Sequence, residues 1–230
     1  MNFLKTREEA NSIKAENSAA FSNARNFRFK LNQNSTGYMI FLDDIGERSF
    51  LLEHQFQTKK ADGTINYYNY ETCIRDIEGE CPLCDSGSRP TLVAVSTVFD
   101  LTEYTKKDGT IAGPRKKLIV LKKGGQDRFL RKQEKLGGLK YKKFEVYRSS
   151  DQKAEATGTD AEFEKEIDPK VLEQFCPEDE KFEDWIKPFD YAEVFKPKTA
   201  QELRAAMGMS EPVGASEAQE PAKSSLKDLI

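Results

Sequence analysis

The sequence predicts a mainly β chain with minor helix: a small, partly open barrel with flexible ends and an inserted lobe built around metal-ligand residue types. Three observations predict it. Short runs of alternating apolar and polar residues, separated by Gly- and Asp-containing turns, recur through the first two thirds of the chain. The single histidine and three of the four cysteines gather as His54–x18–Cys73–x7–Cys81–Pro–Leu–Cys84. Hydrophobic residues make up 37% and charged residues 33%, so the core is modest and the surface strongly charged.

The elements follow in order. Lys5 to Ser22 is polar, with a helix expected over Thr6 to Ala15 and Glu8 and Glu9 in its first turn. From Asn26 the pattern becomes strand-like, Phe27, Phe29 and Leu31 alternating with Arg28 and Lys30. Strands are expected at Tyr38 to Leu42 and Phe50 to Phe56. Thr58 to Ile65 and Thr105 to Ile111 both carry a lysine pair before Asp-Gly. Asp62-Gly63 and Asp108-Gly109 therefore read as hairpin turns, where both positions tolerate positive φ. Leu92 to Leu101 and Lys117 to Leu121 are apolar strands. Gln126 to Leu136 reads as a helix with Phe129, Leu130 and Leu136 inward, and Lys140 to Arg148 alternates again. Asp168-Pro169 opens a short helix to about Phe175. Thr199 and Glu202 form a capping box for Thr199 to Met207. Residues 210–223, rich in Glu, Ala, Pro and Ser, are expected to be disordered. The chain divides into an arm over 1–21, a core over 22–197 with the metal lobe at about 53–88, and a short helix with an acidic tail over 198–230.

His54, Cys73, Cys81 and Cys84 are a donor set for one tetrahedral zinc. Two thiolates separated by two residues fit around one ion, and Pro82 fixes the turn between them. A redox Cys-x-x-Cys pair usually opens a helix in a βαβ context, and none is visible. A zinc deaminase needs His-x-Glu, but the residue two after His54 is Phe56. Four protein donors also leave no position for water, so the zinc is read as structural. Cys176, before Pro177, reads as an inert thiol.

Residues 1–148 hold 26 Lys and Arg against 19 Asp and Glu, whereas 149–230 hold 10 against 20. Such a division suggests a body that binds a polyanion and an acidic tail. Single-strand binding needs cations along the backbone track and aromatic faces for bases. The candidates are Lys59, Lys60, Tyr67, Tyr68 and Tyr70, then Tyr104, Lys106 and Lys107. Arg115, Lys116, Lys117, Lys122 and Lys123 flank the next strand, and Arg128, Arg131 and Lys132 share the following helix. Phe27, Phe29, Phe41, Phe50, Phe56 and Phe99 read as core in preference to base platforms. Lys122-Lys-Gly-Gly125 is not a Walker loop. No Ser/His/Asp set or carboxylate pair suited to catalysis is present, and Asp43-Asp44 reads as a turn.

The stretch His54-Gln-Phe-Gln-Thr-Lys-Lys-Ala-Asp-Gly, then Tyr70-Glu-Thr-Cys73, then Cys81-Pro-Leu-Cys84 resembles the zinc segment of the helix-destabilising, single-stranded DNA-binding proteins of T-even-type bacteriophages. A weaker similarity spans Phe21 to about Phe163. The resemblance implies an OB-fold with a zinc subdomain, cooperative coating of single strands, and an acidic C-terminal region that meets replication, recombination and repair proteins. The family's self-association motif falls on Lys5-Thr6-Arg7, where this chain has two basic residues around one threonine. The segment after Cys84 is shorter than in the family, and Tyr104 is the tyrosine carried over there.

The expectation is thus a non-catalytic, sequence-tolerant single-stranded DNA-binding protein with one structural zinc. It would work in the cytoplasm of the host cell, with no membrane partner. No export signal is recognisable, and no apolar run approaches the roughly 20 residues a membrane helix needs. The alternative is a zinc-containing protein-interaction or transcription-accessory factor acting through the acidic tail. A metal-dependent nucleic-acid enzyme is a third class, disfavoured by the lack of a carboxylate cluster.

Overall fold

A computed structural model describes residues 28–59, 65–105, 109 and 111–209. Lys5, Thr6, Arg7, the helix expected at Thr6 to Ala15, Lys60, the Asp62-Gly63 turn, Lys106, Lys107 and the tail from 210 lie outside the described residues.

Among the described residues, seven strands form one antiparallel sheet: β1 (Ser35–Phe41), β2 (Phe50–Lys59), β3 (Ile65–Thr72), β4 (Thr91–Asp100), β7 (Arg115–Leu121), β8 (Lys142–Arg148) and β9 (Asp160–Glu166). β5 (Tyr104–Thr105) and β6 (Ile111–Ala112) pair as a separate hairpin. Gly109 there has φ of 83°, as its Asp-Gly turn predicts. The main sheet runs β3-β2-β4-β1-β8-β9, with β7 on the other edge of β4, and is open. β4 binds β2 through its first half, from Phe50↔Ala94 to Glu53↔Thr91. It binds β1 through its second half, from Phe41↔Val98 to Met39↔Asp100.

The central strand β4 is covered on both faces, and Val93 to Asp100 are buried without interruption. On one face Ala94 and Val98 join Met39, Phe41, Ile119, Leu121 and Phe144 beneath α3 (Lys123–Leu136). The rings of Phe41, Phe129 and Phe144 meet at 5.1, 5.6 and 5.7 Å, within the range of favourable tilted and edge contacts. Helix α3 ends at Gly137 in the left-handed conformation (φ 68°), a position that favours glycine. The Asp44 carboxylate then accepts from the backbone of Leu139 and Lys140, so this residue braces a turn.

The opposite face of β4 is covered by the C-terminal segment. It comprises a 3-10 turn (Pro169–Phe175), then α4 (Phe182–Trp185), α5 (Tyr191–Val194) and α6 (Ala200–Ala206). Trp185 packs edge-on against Phe99 at 5.3 Å, and Phe189, Tyr191 and Phe195 pack against Val93, Val95 and Leu118. Trp185 and Phe189 thus dock the C-terminal segment onto the sheet. The expected capping box is present at Thr199 and Glu202.

Two expectations differ from the observed elements. The run from Phe27 is not a strand within the described residues. Arg28 makes one parallel bridge to Leu118, after which the chain leaves β7 and Leu31 donates to Ala156 O at 2.8 Å. β9 was not expected, because Asp160–Glu166 offers Ala161 and Phe163 as its apolar residues.

Tyr191 anchors the covering segment. Its hydroxyl lies 2.5 Å from Asp43 Oδ2 and 2.9 Å from Thr97 Oγ1, while Asp43 Oδ1 accepts from Ser96 Oγ and Thr97 N. Burial pushes the Asp43 carboxyl up, against the opposing pull of these hydrogen bonds. A carboxyl raised on folding contributes stability that is present below its unfolded pKa and is lost as pH rises through the folded value. Tyr191→Phe removes a bond that favours the ionised form. It is expected to destabilise by about 1–3 kcal/mol near pH 7. The deficit should narrow as pH falls through the raised pKa of Asp43, where the carboxyl gains its proton. Denaturant melts across this window check it, and a deficit that grows on acidification contradicts it.

Candidate functional site

The β2–β3 ribbon serves two sites because successive strand residues face opposite ways. Leu52, His54 and Phe56 turn towards the cysteines, whereas Glu53 and Gln55 turn into a groove on the other side.

His54 is buried at the middle of β2, and Cys73 follows the end of β3. Helical turns α1 (Arg75–Glu78) and α2 (Pro82–Asp85) supply the rest, with Cys81 at the N-cap of α2 and Pro82 in its first turn. The four donor atoms lie within 4.8 Å of one another. Zinc bonds of about 2.3 Å to sulfur and 2.0–2.1 Å to nitrogen give tetrahedral edges of about 3.8 Å between sulfurs and 3.6 Å between sulfur and nitrogen. The observed separations are 3.6 Å for Cys73 Sγ to Cys84 Sγ, and 3.5 Å from His54 Nε2 to each of Cys81 Sγ and Cys84 Sγ. The group fits one metal ion such as zinc.

The electrostatics agree with this. Burial, then the Arg75 charge, holds the His54 pKa below its ordinary value, so the ring stays neutral and able to ligate. Its Nδ1 lies 3.1 Å from Ser88 Oγ, an outer contact that fixes the ring and leaves Nε2 for the metal. Gly87, at φ 88°, turns the chain so that Ser88 reaches the ring. Burial raises the Cys81 thiol, but hydrogen bonds from the backbone of Ile74, Cys84 and Leu83 outweigh it and leave the pKa lowered. Cys84 is pushed up to about 12, by burial and by its neighbours Cys73 and Cys81. Three crowded thiols resist joint ionisation, and a divalent cation among them reverses that balance.

The lobe has its own small core of Ile74, Leu83, Ala200 and Leu203, with Leu52, Phe56 and Met207 against it. α6 therefore covers the donor cluster. Ala200 N donates to Glu78 at 3.0 Å, Arg204 pairs with Glu80 at 3.0 Å, and Lys198 pairs with Glu71. The capping box marks this helix in the sequence, but nothing there marks its partner.

On the other face of the ribbon lies a groove of about 610 Å³. Its walls are Arg28 and Lys30, the β2–β3 residues Glu53, Gln55 and Tyr70, Lys122 at the end of β7, and the β8–β9 loop from Gln152 to Thr157. The Arg28 guanidinium lies 4.2 Å from the Tyr70 ring centroid, and the Lys30 ammonium 5.5 Å from it. Glu53 grips Arg28 through both oxygens, at 2.9 and 2.5 Å. Lys122 Nζ donates to Gln55 Oε1 at 3.3 Å across the rim.

Of the expected nucleic-acid contacts, Tyr70 and Lys122 line this groove. Lys59, Tyr67 and Tyr68 belong to the same ribbon, with Gln57↔Tyr68 in register, and Tyr104 belongs to β5. The other cations lie elsewhere. Lys117 is buried in an ion pair with Asp100 at 2.6 Å, which gives it a structural place. Lys116 donates to Trp185 O and Lys187 O at 2.6 and 3.1 Å and so holds the covering segment. Arg115 lies opposite Asp100 in the β4–β7 register. Lys123 pairs with Asp127, Arg131 donates to Asp127 O, Arg128 donates to Gly158 O, and Lys132 is half-buried on the same helix. Sequence reasoning missed Arg28, Lys30, Arg148 and Lys153 as groove residues. Arg28 and Lys30 alternate with Phe29, a signal that could have found them, but the loop carries no motif.

No helix among the described residues is long and apolar enough to cross a membrane. Comparison with protein-family models, curated proteins and solved structures finds no match for this chain.

Proposed function

We propose that this is a non-catalytic, zinc-stabilised protein that coats single-stranded DNA without reading its sequence, of the kind found in phage replication, recombination and repair. The observation that carries the reading is Tyr70, an aromatic face braced by Arg28 in a groove where lysines and arginines outnumber carboxylates. Stacking on such a face is sequence-tolerant, since every base has a π-face, and neighbouring cations meet the phosphates. The metal group resembles the family's ligand order, and four protein donors suit a structural zinc over a catalytic one. The two-way pairing of β4 and the helix across one end of the core are consistent with an opened OB-type barrel. Partners beyond DNA, other copies of the chain and replication proteins among them, follow from the resemblance.

The test is a titration of labelled oligo-dT, duplex DNA and single-stranded RNA at two salt concentrations, with wild type and Tyr70→Ala. Binding should favour dT over duplex and weaken with salt, log K falling by about 0.7 per phosphate contact per decade. Tyr70→Ala should weaken dT binding by roughly 5- to 150-fold, the equivalent of about 1–3 kcal/mol for one stacked base. Equal affinity for dT and duplex would favour the interaction-factor reading instead.

A further inference from the structure

One carboxylate in the groove stands apart from the rest of its chemistry. Glu53 is neutralised by Arg28 through two hydrogen bonds. Glu155, on the loop between β8 and β9, belongs to no ion pair among the described residues. Its Oε2 is shielded from solvent and has no hydrogen-bond partner among the described residues. Such an atom carries a desolvation cost that a purely structural side chain would avoid.

The sequence makes room for it. Gly124 and Gly125 stand in the first turn of α3, where glycine is a poor helix former. A Cβ on Gly124 would come within 3.1 Å of Glu155 Oε1, and one on Gly125 within 3.3 Å of Oε2. The glycine pair is thus the space into which the carboxylate folds, and the positive end of the helix makes that space tolerable for a negative charge. The loop backbone around it is pinned, by Leu31 N on Ala156 O at 2.8 Å and Arg128 on Gly158 O at 3.1 Å. Movement of Glu155 is therefore movement of its side chain.

We propose that Glu155 is an internal competitor for nucleic-acid phosphate. The proposal rests on the reading of the groove as a single-strand site. The carboxylate lines the same groove as Tyr70 and Lys122 and offsets one of its cations. A strand entering the groove meets its repulsion or drives it aside. Glu155 thereby holds affinity below what Lys30, Lys122, Arg148 and Lys153 would otherwise set, and keeps the coat removable.

The experiment compares wild type with Glu155→Gln, which keeps the shape and removes the charge, and with Glu155→Asp, which keeps the charge. Oligo-dT is titrated against each full-length chain at two salt concentrations. Glu155→Gln should bind about 3- to 10-fold more tightly at low salt, with a salt slope steeper by up to about 0.7, the value of one added phosphate contact. Glu155→Asp should stay within twofold of wild type. Unchanged or weaker binding by Glu155→Gln overturns the proposal. A wild type that does not prefer dT to duplex overturns the single-strand reading alone. The competitor role is then judged by inorganic tripolyphosphate, which should raise the melting temperature of Glu155→Gln more than that of wild type, and an equal rise rejects it. Glu155→Ser, measured in parallel, supplies the same comparison if the glutamine variant does not fold.

Discussion

Cys81→Ser is expected to abolish zinc binding and to lower the melting temperature by roughly 8–16 °C, the equivalent of about 4 kcal/mol in a chain of this size. Structural zinc in small modules contributes roughly 10–16 kcal/mol of apparent binding energy at neutral pH. The lobe here also rests on the sheet and on α6, so only part of that figure should appear as lost stability. Cys81 is completely buried, and its backbone caps α2. Serine leaves a hydroxyl among thiols that repel one another, with Cys84 already pushed up to about 12 by burial and its neighbours. Without the metal, His54 has no strong tie to the cysteines, and the ribbon it belongs to loosens. That ribbon presents Tyr70 on its other face, so dT affinity should fall although no metal ligand touches the groove. Metal analysis of the purified variant, a thermal melt and a dT titration check the three parts. Full metal content in Cys81→Ser would refute the four-donor site.

What the sequence disclosed depended on whether the signal was local. The Cys81–Cys84 pair declares itself by spacing, and the sole histidine leaves one choice for a nitrogen donor. β4 was legible because Leu92 to Phe99 is mostly apolar and rich in β-branched residues, although Ser96, Thr97 and Asp100 are buried along with it. Lys116 and Lys117 were legible as charge but not as place. Asp100 buries one, and the carbonyls of Trp185 and Lys187 hold the other. A lysine in a sequence carries no mark of its burial. Tyr191 and Asp43 are 148 positions apart, and no periodicity joins them. The groove was half legible, since its ribbon has aromatic and basic residues in strand alternation. Its opposite wall is a loop whose position depends on Arg148 reaching Leu31 O and on Leu31 returning a bond to Ala156.

The Arg28–Glu53 pair should separate stability from binding. Its side chains are 12% and 6% exposed, so removing either partner strands a charge out of water. Glu53→Ala is expected to cost about 3–5 kcal/mol, as does breaking other buried pairs. That corresponds to roughly 6–20 °C of melting temperature. Replacing both residues with apolar side chains of similar volume, Arg28→Met with Glu53→Leu, removes the stranded charge as well as the pair and should recover most of that loss. Binding should not recover with it. The guanidinium 4.2 Å from the Tyr70 ring orients that ring, and the double variant lacks it. Denaturant unfolding of Glu53→Ala and of the double variant, beside dT titrations of the same samples, gives both readouts. A cost below about 1 kcal/mol for Glu53→Ala would mean that water reaches the pair and screens it as it does surface pairs. A double variant that binds dT like wild type would leave Tyr70 without need of its brace, and would move the weight of recognition to Lys122 and the loop facing it.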